Sequence, residues 1–337
     1  MTWQRTSIYT CILFCMIILV TLADAQSVPT YDHVVIVVEE NHSYSEIIGN
    51  LSAPYINGLA TSGANFTNAF GIEHPSQPNY LDIFSGSNQG ITNNGTPGGL
   101  PFSTMNLGAS LVNAGKTFTG YSESMPSVGF TGDSFTTNNS QNQYMRKHNP
   151  WVNWQDDVNP NVNNHLVSST NQPFTAFPSN FNLLPTVAIV APNEQNDMHD
   201  GSIATGDSWL STNVGGYANW ASSHNSLLIV LWDEDDSSQS NQIPMIFFGA
   251  KVRQGNISTH VNHFDLLRTV EDMYSLPYAG ASVNGTTISS AFVSVPEAGG
   301  TAGMAILVGC STFYGGFILL KRNCTFRTAR AISTKVN

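Results

Sequence analysis

Four stretches of the chain are apolar without interruption and rich in β-branched residues: His33–Val38, Thr186–Ala191, Leu227–Trp232 and Pro244–Phe248. A strand with one wet face alternates apolar and polar residues, whereas a strand covered on both faces does not. These runs therefore predict a parallel sheet with helices against it. Between them, Tyr55–Ser62, Asn79–Gly86, Leu107–Ala114, Asp207–Ser222 and Phe264–Tyr274 read as helices. The order is that of an α/β fold, a central mostly parallel sheet flanked by helices in a single domain. Residues 87–145, crowded with Asn, Gly, Ser and Thr, read as long loops over one end of the sheet, and no internal repeat is visible.

The same patterning marks the two ends. Residues 1–25 carry Arg5, an apolar stretch from Ile8 to Leu22 and the small-x-small pattern Ala23-Asp24-Ala25, which together read as a secretory signal peptide. Ala302 to Leu320 is uncharged, would span about 28 Å as a helix, and is followed at once by Lys321-Arg322. It reads as a transmembrane helix at 302–320 with a short basic cytosolic tail at 321–337; a Gly-rich buried core helix is the alternative. On this reading residues 26–298 form the catalytic ectodomain of a single-pass membrane protein of the secretory pathway, lumenal or extracellular.

Composition sharpens that division. Of 337 residues, 12 are Lys or Arg and 23 are Asp or Glu. Only six of the basic residues but 22 of the acids fall within 26–301, so this part carries a net charge near −16. Nucleic-acid binding is excluded, because it needs clustered cations. An anionic ligand would have to be held by a metal, His, backbone N–H groups or very few cations. The four Cys are Cys11, Cys15, Cys310 and Cys324, so the ectodomain must rely on core size rather than disulfides. Sequons at Asn50, Asn65, Asn94, Asn138, Asn256 and Asn284 fit a glycosylated exterior.

Polar clusters follow three of the four strands: Glu39-Glu40-Asn41-His42, the segment Asn193 to Asp200, and Asp233-Glu234-Asp235-Asp236. Ligands of open α/β sheets bind outside the carboxyl ends of the strands, so these clusters are expected to converge although far apart in the chain. Converging carboxylates either share protons or hold a cation, and the amide oxygen of Asn41 adds a neutral hard ligand. Glu40, Asn41, Asp233 and Glu234 suit a divalent ion, Mg²⁺, Ca²⁺ or Mn²⁺, with Zn²⁺ an option if a His joins. Asp235 and Asp236 read as a solvated turn. Ser76, just before Pro78 and an apolar-periodic helix, reads either as an N-cap or as a hydroxyl beside free backbone N–H groups that can cradle an anion.

Six ordered motifs then carry a resemblance: Val37-Val-Glu-Glu-Asn-His-Ser-Tyr-Ser45, His74-Pro-Ser-Gln-Pro-Asn-Tyr80, Arg146-Lys-His-Asn-Pro-Trp151, Asn196-Asp-Met-His-Asp-Gly201, Trp232-Asp-Glu-Asp235 and His263-Phe-Asp-Leu-Leu-Arg-Thr-Val-Glu-Asp-Met273. From about Asp32 to Pro277 the chain resembles the phosphoesterase family. That family holds bacterial and fungal acid phosphatases and non-specific phospholipases C, within the alkaline phosphatase superfamily. The resemblance implies an alkaline-phosphatase-like fold, Ser76 as nucleophile, and Glu40, Asn41, Asp233 and Glu234 as metal ligands. It implies His199 and His148 as further catalytic residues, with Asn79, Asp197, Asp200 and His263 bordering the phosphate. The sequon at Asn41 is then expected to be silent. The long C-terminal extension of the phospholipases is absent, which points to a metal-dependent phosphomonoesterase of acid phosphatase type. The substrate would be a small phosphate ester or a phospholipid head group. A phospholipase C or phosphoinositide phosphatase and a catalytically silent surface glycoprotein are the alternatives. His74, His224 and His260 read as hydrogen-bonded structural residues, and the oligomeric state is left open.

Overall fold

The computed structural model describes residues 28–138 and 143–293. The expected leader (1–25), span (302–320) and tail (321–337) lie outside the described residues. Among the described residues no helix is long and apolar enough to cross a membrane.

The main sheet has eight strands: β1 (His33–Glu39), β2 (Ala64–Phe66), β3 (Phe118–Ser122), β4 (Asn171–Pro173), β5 (Val187–Ala191), β6 (Ser226–Trp232), β7 (Met245–Gly249) and β8 (Gly255–Ile257). Their order is β8-β2-β7-β6-β1-β5-β3-β4. The five from β6 to β4 are mutually parallel, and β1, β5 and β6 are buried along almost their whole length. That burial on both faces is why the three read as unbroken apolar runs. The fourth run, β7, lies antiparallel to β6. Its connection from Asp233 carries no helix, and a chain that turns straight back makes an antiparallel pair.

Six longer helices accompany the sheet: α1 (Pro54–Ser62), α2 (Ser76–Ser85), α3 (Leu107–Asn113), α4 (Ile203–Asn213), α5 (Gly215–Ala221) and α6 (His263–Met273). They pack in two groups, α1 with α4 and α4 with α5, and α2 with α3 and α6. The stretch expected as one helix from Asp207 to Ser222 is α4 and α5, divided at Val214, where Asn213 and the pair Gly215-Gly216 weaken helical continuity. The region 87–145 is not all loop, because β3 lies within it. This strand escaped notice because its sequence, Phe-Thr-Gly-Tyr-Ser, is not continuously apolar. Gly120 is required there, since a Cβ would stand 2.0 Å from the Trp151 ring that packs on the strand.

One register feature sets up everything that follows. Glu39 at the end of β1 lies opposite Trp232 at the end of β6. Glu40 and Asp233 therefore leave the sheet side by side, and the Asp233 N–H donates to the Glu39 carbonyl at 3.1 Å. From the other neighbour of β1, the loop after β5 returns so that Asp197 accepts the Glu40 N–H on its backbone oxygen at 2.8 Å.

Candidate active site

The three strand-end clusters meet. Oxygens of Glu40, Asp233 and Glu234, all buried, lie within 4.8 Å of one another. The Asp233 Oδ1 accepts the Glu234 N–H at 2.7 Å and the Asn41 N–H at 3.4 Å, while its Oδ2 is buried without a partner. Burial pushes the Asp233 carboxyl well above its ordinary range, and the charges of Glu40 and Glu234 push it further. Burial likewise raises Glu234, with a hydrogen bond from Ser76 opposing. A buried carboxylate oxygen with neither donor nor cation costs several kcal/mol at the upper end of the range for unpaired polar groups. Three carboxylates around one orphaned oxygen have the donor chemistry of a hard divalent cation, so the residues fit the expected metal. Asn41 stands beside them in a left-handed conformation, φ 53°.

Ser76 points into this cluster. Its hydroxyl is 2.9 Å from Glu234 Oε1 and 3.2 Å from Glu40 Oε2. The helix begins with Ser76 itself, with Pro75 in the capping position, so the hydroxyl is not spent as an N-cap. The expected cradle of free N–H groups is partly occupied, because the Gln77 N–H donates to Asn94 Oδ1 at 3.0 Å.

His148 sits between two acids, with Nε2 2.6 Å from Glu40 Oε1 and Nδ1 3.2 Å from Asp197 Oδ2. Burial disfavours its charged form, but Glu40 and Asp197 outweigh that and raise its pKa to about 9. It is thus held as an imidazolium, stacked on Tyr80 with ring centroids 5.0 Å apart. Burial alone would raise Glu40, and His148 reverses the direction, so Glu40 ends below its ordinary value. His199 is more open to solvent: its Nδ1 lies 2.9 Å from Asp200 Oδ1, its Nε2 3.4 Å from Lys147 Nζ, and its backbone N–H donates to Asp197 Oδ1 at 2.9 Å.

Asn79 and His263 come to the site in a bracing position. Asn79 Oδ1 accepts the N–H groups of Ile72 and Glu73, both at 3.0 Å, and its Nδ2 donates to the Glu73 carbonyl at 2.6 Å. Every one of these bonds holds the loop ahead of Ser76. His263 is fully buried, its pKa lowered to about 4 by burial, and its Nε2 donates to the Trp232 carbonyl at 3.2 Å, next to Asp233.

Three residues of the site were read otherwise from the sequence or passed over. His74, taken as structural, places Nδ1 2.6 Å from Glu234 Oε2 and Nε2 3.4 Å from Asp235 Oδ1. Asp235 is buried rather than solvated, accepting the N–H groups of Ser237, Gln239 and Asn241; Asp236 is exposed as expected. Lys147, buried, pairs with Glu194 at 3.2 Å. The sequon at Asn65 is likewise not on the exterior: Asn65 is buried and its Nδ2 donates to Tyr44 and Asn256.

Comparison with known proteins identifies the family. The model of the Phosphoesterase family matches residues 50–277. A phosphatidylinositol-3-phosphatase of Mycobacterium tuberculosis is 48% identical over 79% of this chain and 84% of its own. An acid phosphatase of Aspergillus fumigatus is 30% identical over 66% of this chain, which spans about half (51%) of that protein's length. In fold, the chain is similar to a crystal structure of a protein in the alkaline phosphatase superfamily from Vibrio parahaemolyticus. The TM-score is 0.52 at 12% identity, over 79% of this chain and 73% of that one.

Proposed function

This chain belongs to the phosphoesterase family and is a hydrolase of phosphoric esters, and on that premise we propose that it is a metal-dependent phosphomonoesterase with Ser76 as its nucleophile. The observation that carries the reading is the Ser76 hydroxyl, turned away from any capping role and held against Glu40 and Glu234 beside the orphaned Asp233 oxygen. Glu40, Asn41, Asp233 and Glu234 would hold the cation. Bound there, a divalent ion supplies neutralisation of phosphate charge and a lowered hydroxyl pKa.

The chain's own residues do the rest. Ser76, its hydroxyl proton released to solvent, attacks phosphorus in line through Oγ; the Oγ–P bond forms as the P–O bond to the alcohol breaks, leaving a phosphoserine. To His199, the more open of the two histidines, the proposal assigns the proton given to the departing alkoxide, with Asp200 orienting its Nδ1 at 2.9 Å. His148 is committed to Glu40 and Asp197 through both nitrogens, so its role is to stay charged and fix the Glu40 carboxylate. Water then attacks phosphorus, giving one proton back to His199, and the Oγ–P bond breaks to release phosphate and return Ser76 to the alkoxide that began the cycle. Ser76→Ala should abolish hydrolysis of a simple aryl phosphate by the purified protein; substantial residual turnover would refute the nucleophile.

A second reading concerns the substrate. The relative at 48% identity bears the name of a phosphoinositide phosphatase, which favours a lipid head group as the phosphate donor. Incubation with vesicles containing a phosphoinositide separates the options: inorganic phosphate release supports a monoesterase on lipid, and diacylglycerol release supports a phospholipase C.

A further inference from the structure

Glu73 and Asp82 bring two carboxyl groups together outside the acidic cluster described above, and both belong to the segment that carries Ser76. Asp82 lies in the second turn of α2, buried, on the same face of the helix as Asn79 three residues earlier. Its carboxyl meets the Glu73 carboxyl at hydrogen-bond distance, while its Oδ2 is buried and receives no N–H or O–H donor among the described residues. Two ionised carboxylates repel at such a distance, whereas a proton between them makes a charge-assisted hydrogen bond. We propose that Asp82 and Glu73 share one proton, and that this bond positions the turn from Glu73 to Ser76 for catalysis. The inference rests on Ser76 as nucleophile and adds two positioning residues to it.

Glu73 is the residue from which the turn hangs. Asn79 holds its backbone N–H and carbonyl from within α2, and Asn241, in the loop after β6, donates Nδ2 to the same carbonyl at 3.1 Å. Asn88, just past the end of α2, donates Nδ2 to Glu73 Oε1 at 2.8 Å. The bond to Asp82 completes the set and fixes the Glu73 carboxyl against the helix. The next residue, His74, reaches Glu234 Oε2 at 2.6 Å, and Ser76 reaches Glu234 and Glu40. A shift of the turn therefore displaces a histidine and the nucleophile together.

Burial pushes the Asp82 pKa from 3.8 up to about 8, and the charge and hydrogen bond of Glu73 act in the same direction. The other titratable groups on α2 and on the elements packed against it are engaged elsewhere. Tyr80, on α2 itself, stacks on His148. In the turn Arg146–His148, Arg146 binds Asn153, Lys147 binds Glu194 and His148 binds Glu40. On α6, His263 binds the Trp232 carbonyl, Asp265 the Thr286 N–H, Arg268 pairs with Asp272, and Glu271 accepts from Ser282. The segments Leu107–Asn113 and Pro150–Trp154 bring no titratable side chain. As pH rises through about 8, Asp82 ionises, the pair becomes two anions, and the bond that holds the turn is lost.

The test measures kcat/KM for an aryl phosphate about one pH unit below and about one above the Asp82 pKa in wild type, Asp82→Asn and Glu73→Gln, with melting curves verifying that each protein is folded at both. Either new side-chain amide donates an N–H across the pair at both pH values, so the bond no longer depends on a shared proton. The ratio of the alkaline to the acidic value should be about tenfold higher in the variants than in wild type, because the protonated fraction of Asp82 falls about tenfold over that interval. Losses of other origin are common to all three proteins and cancel. A ratio equal to that of wild type in both variants overturns the proposal. Infrared spectra give a second readout: below the pKa, wild type should show a protonated-carboxyl band that Asp82→Asn lacks, and identical spectra also overturn it. Ser76→Ala, assayed alongside, reports on the nucleophile separately: residual turnover there refutes Ser76 and leaves the infrared result standing, whereas equal ratios with an inactive Ser76→Ala refute only the carboxyl pair.

Discussion

Glu271 in α6 and Asp233 after β6 are both 0% exposed, yet their oxygens meet different fates. Glu271 Oε1 accepts the Ala279 N–H at 2.7 Å and Oε2 accepts the Ser282 hydroxyl at 2.6 Å, so the carboxyl ties α6 to the segment that follows. Asp233 has one oxygen satisfied by backbone N–H groups and the other left bare, with Glu40 and Glu234 adjacent. Burial alone therefore does not mark a functional acid. What distinguishes the site is a buried charge whose partners within the protein are insufficient and whose neighbours carry the same sign.

The largest effect that can break this contrast is on turnover. Asp233→Asn should lower kcat/KM for an aryl phosphate by about 10³-fold, the scale of losing a principal electrostatic contact in the transition state. Glu271→Gln should leave it within about twofold, since Glu271 contacts no part of the site; equal losses would dissolve the distinction. Next in size is stability. Glu271→Ala strands two buried donors and should cost about 2–3 kcal/mol in denaturant unfolding. Asp233→Asn, measured in chelator, should instead cost less than about 1 kcal/mol, because burial and the charges of Glu40 and Glu234 already favour the protonated, neutral carboxyl when no cation is bound.

The smallest effect is a pH slope. Burial raises the Glu271 pKa from 4.5 to about 7 in the folded state, with the Ser282 and Ala279 bonds opposing. The folded protein thus keeps a proton that the unfolded chain releases near 4.5, and the contribution to stability declines as pH rises from 4.5 through 7. Unfolding midpoints across that window should fall more steeply for wild type than for Glu271→Gln. Parallel curves would mean that the carboxyl is ionised when folded.

Much of this was legible in the chain for physical reasons. Strands β1, β5 and β6 are covered on both faces, so burial wrote itself into Val34–Val38, Val187–Ala191 and Leu227–Trp232. Parallel topology then forced the acids at their ends together, which is why Glu40 and Asp233 could be paired across the chain. Residues that act through a neighbour's side chain left no such trace. His74 reaches Glu234 only because α2 brings the Glu73-to-Ser76 turn against the end of β6, and a lone His before a Pro does not announce that. Lys147 hides for a similar reason: its pairing with Glu194 depends on where the loop after β5 folds back. Strand β3 was lost to a glycine that packing against Trp151 demands. Asp235 looked like the continuation of an acidic turn, but it is the acceptor around which that turn closes.

The central claim is that Glu40, Asp233 and Glu234 hold a divalent cation that Ser76 needs. It is tested most directly by titrating Mg²⁺ or Mn²⁺ into chelator-treated protein while recording melting temperature and aryl-phosphate turnover together. Both should rise to a common saturation, with stabilisation of about 2.7 kcal/mol at 100 times the Kd, and neither should respond in Asp233→Asn. Full turnover in chelator, indifferent to any added cation, would contradict the account.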